Sequence, residues 1–355
     1  MESLATKLAP RDTEIRAWEV ASTFEARHIL CTTQGRGQNA AQYIESNLEV
    51  HIGCWFIDQY PYHKAVDFHS EHTTTKVRSR LKLYCSADPE EQKVELAILP
   101  LLTHGEAELS RDMLQLMVQR LTIGGRLVAS VDNVRDRWLH DQMRELFPKV
   151  TVHTFADAIV YSAVKQNELK KVRNFQCEFA FRDREQLIYA ISRPGVFSHR
   201  HIDPGARQLI DAIDIGPKTR VIDIGCGAGT VALALATRDA TTYVHAVDGN
   251  ARAVQCTELG AARNQLTNIV TELNSRGTKA TKGSFDLAVA NPPYFADFRI
   301  AEHFINTAKE ALKPGGQLLL VTKQPQWYEE YLPDRWDDVD IWPSKKYHLV
   351  AGVRT

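Results

Sequence analysis

The stretch "FDLAVANPPYFA" (residues 285–296) runs an apolar segment into an asparagine, two prolines and a tyrosine. Proline cannot donate to a strand's ladder and restricts the residue before it, so a strand must stop there. Asn291, set ahead of the rigid Pro292-Pro293 and of Tyr294, then presents hydrogen-bonding groups at fixed positions, an arrangement suited to a polar, flat ligand. A second chemical signal is "DIGCGAGT" (223–230), where a strand passes into a helix through Gly225, Gly227 and Gly229. Glycine permits positive φ and close approach of a ligand to the backbone. In an open α/β sheet the crevice at such a turn is where ligands bind.

The spacing narrows the ligand. The dinucleotide fingerprint G-x-G-x-x-G would require glycine where Thr230 stands. Asp223, two residues before Gly225, gives nothing to a phosphate at a helix N-terminus but suits a cationic amino-acid group. Asp248 ends the next strand, 19 residues after Gly229 (248 minus 229), where an acid can chelate both hydroxyls of a ribose. A nucleoside carrying a cationic amino-acid tail and no phosphates is S-adenosylmethionine (SAM). The cofactor set is then Asp223, Gly225, Cys226, Gly227, Gly229 and Asp248.

These residues need a frame. "TRVIDIG" (219–225), "TYVHAVDG" (242–249), "SFDLAVAN" and "GGQLLLVT" are short β-branched or apolar runs, as expected of buried parallel strands. Between them "TVALALATR" (230–238), "NARAVQCTELGAARN" (250–264) and "IAEHFINTAKEAL" (300–312) have helical spacing, and the alternation implies βαβ crossovers. "DVDIWPSKKYHLVAGVR" reads as two strands about a Pro-Ser-Lys turn, an antiparallel hairpin at the sheet edge. "NFQCEFAF" (174–181) alternates strictly and predicts a half-buried strand, followed by the loop "RPGVFSHRHIDPG" (193–205).

The chain also repeats itself. Gly124-Gly125 precedes Gly315-Gly316 by 191 residues (315 minus 124), and "VELAILPLL" precedes "FDLAVANPP" by the same offset. "ILCTTQGRG" (29–37) lies 192 residues before "VIDIGCGAG" (221–229). The copies differ where chemistry would sit: Cys31 and Thr33 replace Asp223 and Gly225, and Pro100-Leu101-Leu102 replaces Asn291-Pro292-Pro293. Residues 1–165 therefore read as a degenerate scaffold copy, 166–182 as linker and lead-in strand, and 183–355 as the chemical domain.

Composition sets outer bounds. Lys+Arg 43 against Asp+Glu 44 in 355 residues gives no global basic field, so a nucleic-acid partner must be met by local patches. Six scattered cysteines without a C-x-x-C pair suit reduced thiols, not a disulfide framework or zinc site. The N-terminus lacks the basic and apolar regions of a signal peptide, and no run approaches a membrane span. A cytoplasmic monomer without a metal is expected.

D-x-G-x-G-x-G, an acid ending the second strand and N-P-P-Y ending the fourth together resemble class I SAM-dependent methyltransferases acting on planar nitrogen. The doubled architecture, with "PGVFSHRHIDPG" ahead of the glycine loop, is most similar to the ribosomal RNA small-subunit guanine-N2 methyltransferases. The resemblance implies two tandem Rossmann-like domains, each a mostly parallel sheet flanked by helices with an antiparallel edge hairpin. It implies SAM binding and catalysis by the second copy, with ribosomal RNA or a ribosomal subunit as partner. An exocyclic amine is a poor nucleophile because its lone pair is delocalised into the ring. The Asn291 side-chain carbonyl and the Pro292 backbone carbonyl would accept its two N–H groups and turn the lone pair toward the methyl. Pro293 would hold these acceptors rigid and Tyr294 would offer a stacking face.

Other residues carry two readings each. Phe197 either covers the methionine end of SAM or the base, or it merely anchors its loop. Asn274 in "ELNSRG" would meet the adenine edge, although a turn-forming role is the better match for an Asn there. His199 and His201 have metal-compatible spacing but no clustered third ligand. Lys76, Arg78, Arg80 and Lys82 alternate along "KVRSRLKLY" and on a strand would form either a phosphate-binding strip or a solvated face. N-P-P-Y also serves protein glutamine and DNA adenine amino groups, and a SAM-retaining, non-catalytic RNA-binding or assembly factor is the remaining alternative.

Overall fold

The computed structural model describes residues 9–293 and 298–355, so Tyr294 lies outside the described residues. The chain divides into two compact units that part between Phe175 and Gln176, within the segment read as linker and lead-in strand.

The first unit runs α1 (Asp12–Ala21), β1 (His28–Cys31), α2 (Gln38–Ser46), β2 (His51–Phe56), α3 (Gln59–His72), α4 (Thr75–Arg78), β3 (Leu81–Cys85), β4 (Val94–Leu101), α5 (Ala107–Arg120), β5 (Leu121–Val131), α6 (Trp138–Leu146), β6 (Thr151–Thr154) and β7 (Ile159–Val164). The second opens with the hairpin β8 (Cys177–Asp183) and β9 (Gln186–Ser192). It continues as α7 (Pro204–Ala212), β10 (Arg220–Ile224), α8 (Thr230–Arg238), β11 (Tyr243–Asp248), α9 (Ala251–Arg263) and β12 (Ile269–Leu273). It ends with β13 (Phe285–Ala290), α10 (Arg299–Ala311), β14 (Leu312–Thr322), α11 (Gln326–Tyr331), β15 (Asp337–Ser344) and β16 (Tyr347–Val353).

The two main sheets have the same topology, β3-β2-β1-β4-β5-β7-β6 and β12-β11-β10-β13-β14-β16-β15. Five strands of each are parallel, and the last two form an antiparallel edge hairpin. The repeat extends to details that spacing alone could not specify. A bulge interrupts the same strand pair in each copy, between Val94 and Leu96 and between Phe285 and Leu287. Glu95 accepts from the His28 N–H at 2.6 Å, as Asp286 does from the Arg220 N–H at 2.7 Å.

In the second unit the central parallel strands β10, β11 and β13 are buried on both faces, with side chains alternating between two cores. Val221 and Val289 face Leu209, Leu233 and Leu235, whereas Ile222 and Ile224 face Ile305 and Ala308. Residues 230–236 of α8 are all buried, as their unbroken apolar run requires. A bidentate ion pair between Arg238 and Asp183, with side chains 6% and 4% exposed, ties β8 to the end of α8. Arg238 also donates to the Ile210 and Ile213 carbonyls at the end of α7, so few of its donors lack an acceptor.

The first unit fills its own glycine turn. The buried Glu14 carboxylate accepts from the Thr33 hydroxyl at 2.9 Å and from the Gln34 N–H at 3.0 Å. The Thr33 oxygen in turn accepts from the N–H groups of Gly35 and Gly37. The alternating cations of "KVRSRLKLY" do not share a strand, because Lys76 and Arg78 lie in α4. Arg78 donates to the carbonyls of His69, Ser70 and Thr73, Arg80 to those of Ile44 and Asn47, and Lys82 pairs with Glu90. Three of the four cations are thus engaged with helix ends or an acid, which corrects the picture of a continuous strip.

Candidate active site

β10 and β13 are neighbours in the sheet, and residues at their ends meet at one crevice. Asp223, Gly225, Cys226 and Gly227 line it from the first strand and its turn, Asn291 from the second, and Phe197, Ser198, His201 and Asp203 from the loop before α7. This is the topological switch point of the sheet, where two crossovers leave in opposite directions and open a cleft.

The turn's own N–H groups are largely spent inside the protein. Those of Gly225 and Cys226 donate to the Val247 carbonyl, that of Gly227 to the Asp248 carboxylate at 2.8 Å, and that of Gly229 to the Cys226 carbonyl. Such a turn has little left to cradle a pyrophosphate. Its glycines also do different work. A Cβ on Gly225 would strike Phe304 at 2.6 Å, whereas a Cβ on Gly227 (φ +56°) would meet only the Phe197 carbonyl oxygen, at 4.0 Å. Gly225 is required by packing, and Gly227 keeps the crevice floor open to a ligand.

Asp223 is 3% exposed and accepts from the Ala232 N–H at 3.2 Å. Burial, with the nearby Asp248 charge adding to it, pushes its carboxyl up to about 7. Asp248 accepts from the Gly227 and Asn250 N–H groups and is also raised, again chiefly by burial. A buried acid at the crevice, with the half-buried Asp248 behind the glycine turn and no Lys or Arg among the described lining residues, fits a cationic, hydroxyl-bearing ligand, which would return the desolvation cost. The Cys226 thiol, 3.5 Å from the Thr257 hydroxyl, is held well above its ordinary value by burial and stays protonated.

Asn291 donates its Nδ2 to the Asp203 carboxylate at 2.8 Å. Asp203 is the N-cap of α7, accepting from Ala206 N–H at 2.9 Å, with Pro204 at the first helical position. A Cβ on Gly205 would lie 2.8 Å from the Asp203 carboxylate and 3.2 Å from Asn291 Oδ1, so only glycine leaves room for this pair. Pro292 is buried and Pro293 half-buried. Past the undescribed residues 294–297 the chain is anchored by Phe298, stacked on Trp327 at 4.9 Å, with Trp327 stacked on Tyr331 at 4.4 Å.

Phe197 is 65% exposed at the crevice mouth, so it does not anchor its loop by burial. The loop is fixed from α9 instead: Asn250 donates to the Gly195 carbonyl, the buried Arg252 to the Pro194 carbonyl, and Gln255 accepts from Arg193. Asn274 serves as a turn residue, its Nδ2 donating to Glu272 and its Oδ1 accepting from the Arg276 N–H. It does not line the crevice, and neither do Gly229 or Asp248. His199 bonds Ser192 at 2.7 Å, while His201 is exposed at the crevice, and no group of three metal-ligating side chains occurs among the described residues. The roles of Asp203, Asn250 and Arg252 come from partners distant in sequence, and that of Gly205 from the space this pairing needs. Asp-Pro-Gly is a helix-start signal that could have singled out Asp203.

Residues 188–351 match the methyltransferase small domain family. Ribosomal RNA small subunit methyltransferase C of Pseudomonas entomophila (strain L48) is 31% identical over 158 residues, covering 43% of this chain and 47% of the relative. That of Alcanivorax borkumensis is 36% identical over 160 residues, 43% of this chain and 48% of the relative. The chain thus aligns with about half the length of these relatives. A solved T. thermophilus 16S rRNA N2 methyltransferase, in complex with AdoMet and guanosine, superposes with a TM-score of 0.76 at 20% identity, covering 98% of this chain and 93% of that one. That likeness spans both units, each built on a mostly parallel sheet. Residues 188–351 are thus similar to the methyltransferase small domain, and the chain as a whole has the fold of two tandem Rossmann-like domains seen in the superposing structure.

Proposed function

We propose that this protein is a SAM-dependent methyltransferase that modifies an exocyclic amine, guanine N2 of ribosomal RNA. The observation that carries the proposal is the meeting of Asp223 and the glycine turn with Asn291 at one crevice, which puts a cation-accepting acid beside an amide acceptor. The names of the curated relatives and of the superposing structure supply the substrate class.

In this reading Asp223 receives the amino-acid end of SAM, Asp248 the ribose, Gly227 the backbone approach, and Phe197 covers the open side. SAM supplies an electrophilic methyl on a sulfonium. Asn291 Oδ1 and the Pro292 carbonyl accept the two N–H groups of the target amine, which frees its lone pair from the ring and stabilises the charge growing on nitrogen. SAM held at this crevice would supply the methyl to the amine nitrogen, its sulfur leaving with the carbon–sulfur electron pair as a neutral thioether, and the amine's excess proton would pass to water. The first unit acts as scaffold and RNA-holding copy, its glycine turn being filled by Glu14.

The test is incubation of the protein with methyl-labelled SAM and unmodified small ribosomal subunits, followed by nucleoside analysis. Label in N2-methylguanosine is expected, and Asn291→Ala should lower transfer by about 10²–10³-fold with SAM affinity unchanged. Label in methyladenosine or in protein glutamine, or an Asn291→Ala enzyme as fast as the parent, would overturn the assignment.

A further inference from the structure

We infer that Asp203 is the positioning residue that makes Asn291 an acceptor toward the target amine, an inference that rests on the proposed amine methylation. A primary amide is nearly symmetric in shape, so nothing in the packing of Asn291 alone decides whether its oxygen or its NH2 faces the crevice. The two orientations have opposite consequences. With Oδ1 toward the crevice, an amine N–H is held. With Nδ2 there, two donors oppose each other and the amine is repelled.

An ionised carboxylate is an acceptor only. The Asp203 carboxylate oxygen 2.8 Å from Asn291 Nδ2 can therefore be satisfied by the amide's NH2 side alone, and this leaves Oδ1 for the crevice. The same oxygen accepts from the Ala206 N–H at 2.9 Å, so the start of α7 holds the carboxylate in place. Gly205 lets the three groups close up, since a side chain there would press on both Asp203 and Asn291 Oδ1. A charged acceptor on Nδ2 also polarises the amide and strengthens Oδ1 as an acceptor. Capping α7 and orienting Asn291 are thus two tasks of one oxygen atom, and they can be separated.

Ser, Asn and Asp cap helices about equally well. In Asp203→Asn the side-chain oxygen can occupy the same place and serve both donors, whereas in Asp203→Ser the hydroxyl reaches the Ala206 N–H but is too short to hold Asn291 Nδ2 as well. Melting temperature, SAM affinity by calorimetry, and kcat and KM on ribosomal subunits should be measured for both variants in the full chain. The expected result for Asp203→Ser is a kcat lower by about 10–100-fold, with KM for the subunit, SAM affinity and melting temperature close to the parent. Asp203→Asn should recover most of the rate. A readout independent of turnover is the ¹⁵N-edited NMR signal of the Asn291 side-chain amide, assigned by its absence in Asn291→Ala. One of its protons should be exchange-protected in the parent and in Asp203→Asn, and unprotected in Asp203→Ser. Parent-like turnover or parent-like protection in Asp203→Ser overturns the inference, as does an equal fall of both variants together with their melting temperature. Failure of the methylation reading has a different signature, a parent-like Asn291→Ala enzyme, and it would overturn the catalytic part of the inference even with the amide protection intact.

Discussion

The acid beside the glycine turn gives the strongest quantitative handle. Burial raises the Asp223 carboxyl from an ordinary 3.8 to about 7. A cationic amino group binds the ionised form, and between pH 7 and pH 5.5 the ionised fraction falls from about one half to about 3%. SAM affinity should therefore weaken about 15-fold across that interval, where the ligand's ammonium remains protonated. The same shift acts on the ligand-free protein with the opposite preference. A folded-state carboxyl raised above its unfolded value leaves stability intact below about pH 4, takes it away as the pH rises toward 7, and has no further effect above that. The full penalty is on the order of 4 kcal/mol. Asp223→Asn keeps an acceptor for the Ala232 N–H, so it should bind SAM at least tenfold more weakly at pH 7 while melting at a higher temperature than the ligand-free parent. Isothermal calorimetry and thermal melts at pH 5.5, 6.25 and 7 make the comparison, with His201→Gln as the control for the exposed imidazole at the same crevice. Asp248, also raised by burial, should leave a shallower residual slope in the variant. A SAM affinity in the parent that is flat over this range, or an Asp223→Asn protein binding as tightly as the parent, would refute the reasoning.

Asp248→Ala removes the acceptor of the Gly227 and Asn250 N–H groups together with the proposed ribose contact, and calorimetry should show SAM binding weakened by tenfold or more. An unchanged affinity would remove Asp248 from the cofactor set. Glu14→Ala empties the filled turn of the first unit and leaves the Gln34 N–H and Thr33 hydroxyl without their acceptor. It should cost about 1–3 kcal/mol in chemical denaturation while SAM affinity stays within twofold.

Much of the scaffold was legible in the sequence because it rests on local rules. The β-branched run before Gly225, the apolar stretch 231–236 of α8, the terminal hairpin and the 191-residue offset depend on side-chain period and spacing, which the chain carries residue by residue. The hairpin nevertheless turns at Lys345-Lys346, because Pro343 and Ser344 pair within the strands. The crevice residues Asp223 and Asn291 followed from the same logic, since strands that neighbour each other at a switch point bring their ends together. Partners distant in sequence were decided only by the tertiary structure. Arg78 and Arg80, alternate along the chain, became caps for helix carbonyls because a one-turn helix precedes β3. Asn274 spent its amide inside its own turn. Asp203 met Asn291 across 88 residues of chain, because α7 happens to begin where β13 ends. Backbone conformation is written largely in neighbouring residues, but the orientation of an amide depends on which acceptor the fold places against it, and that is a property of packing.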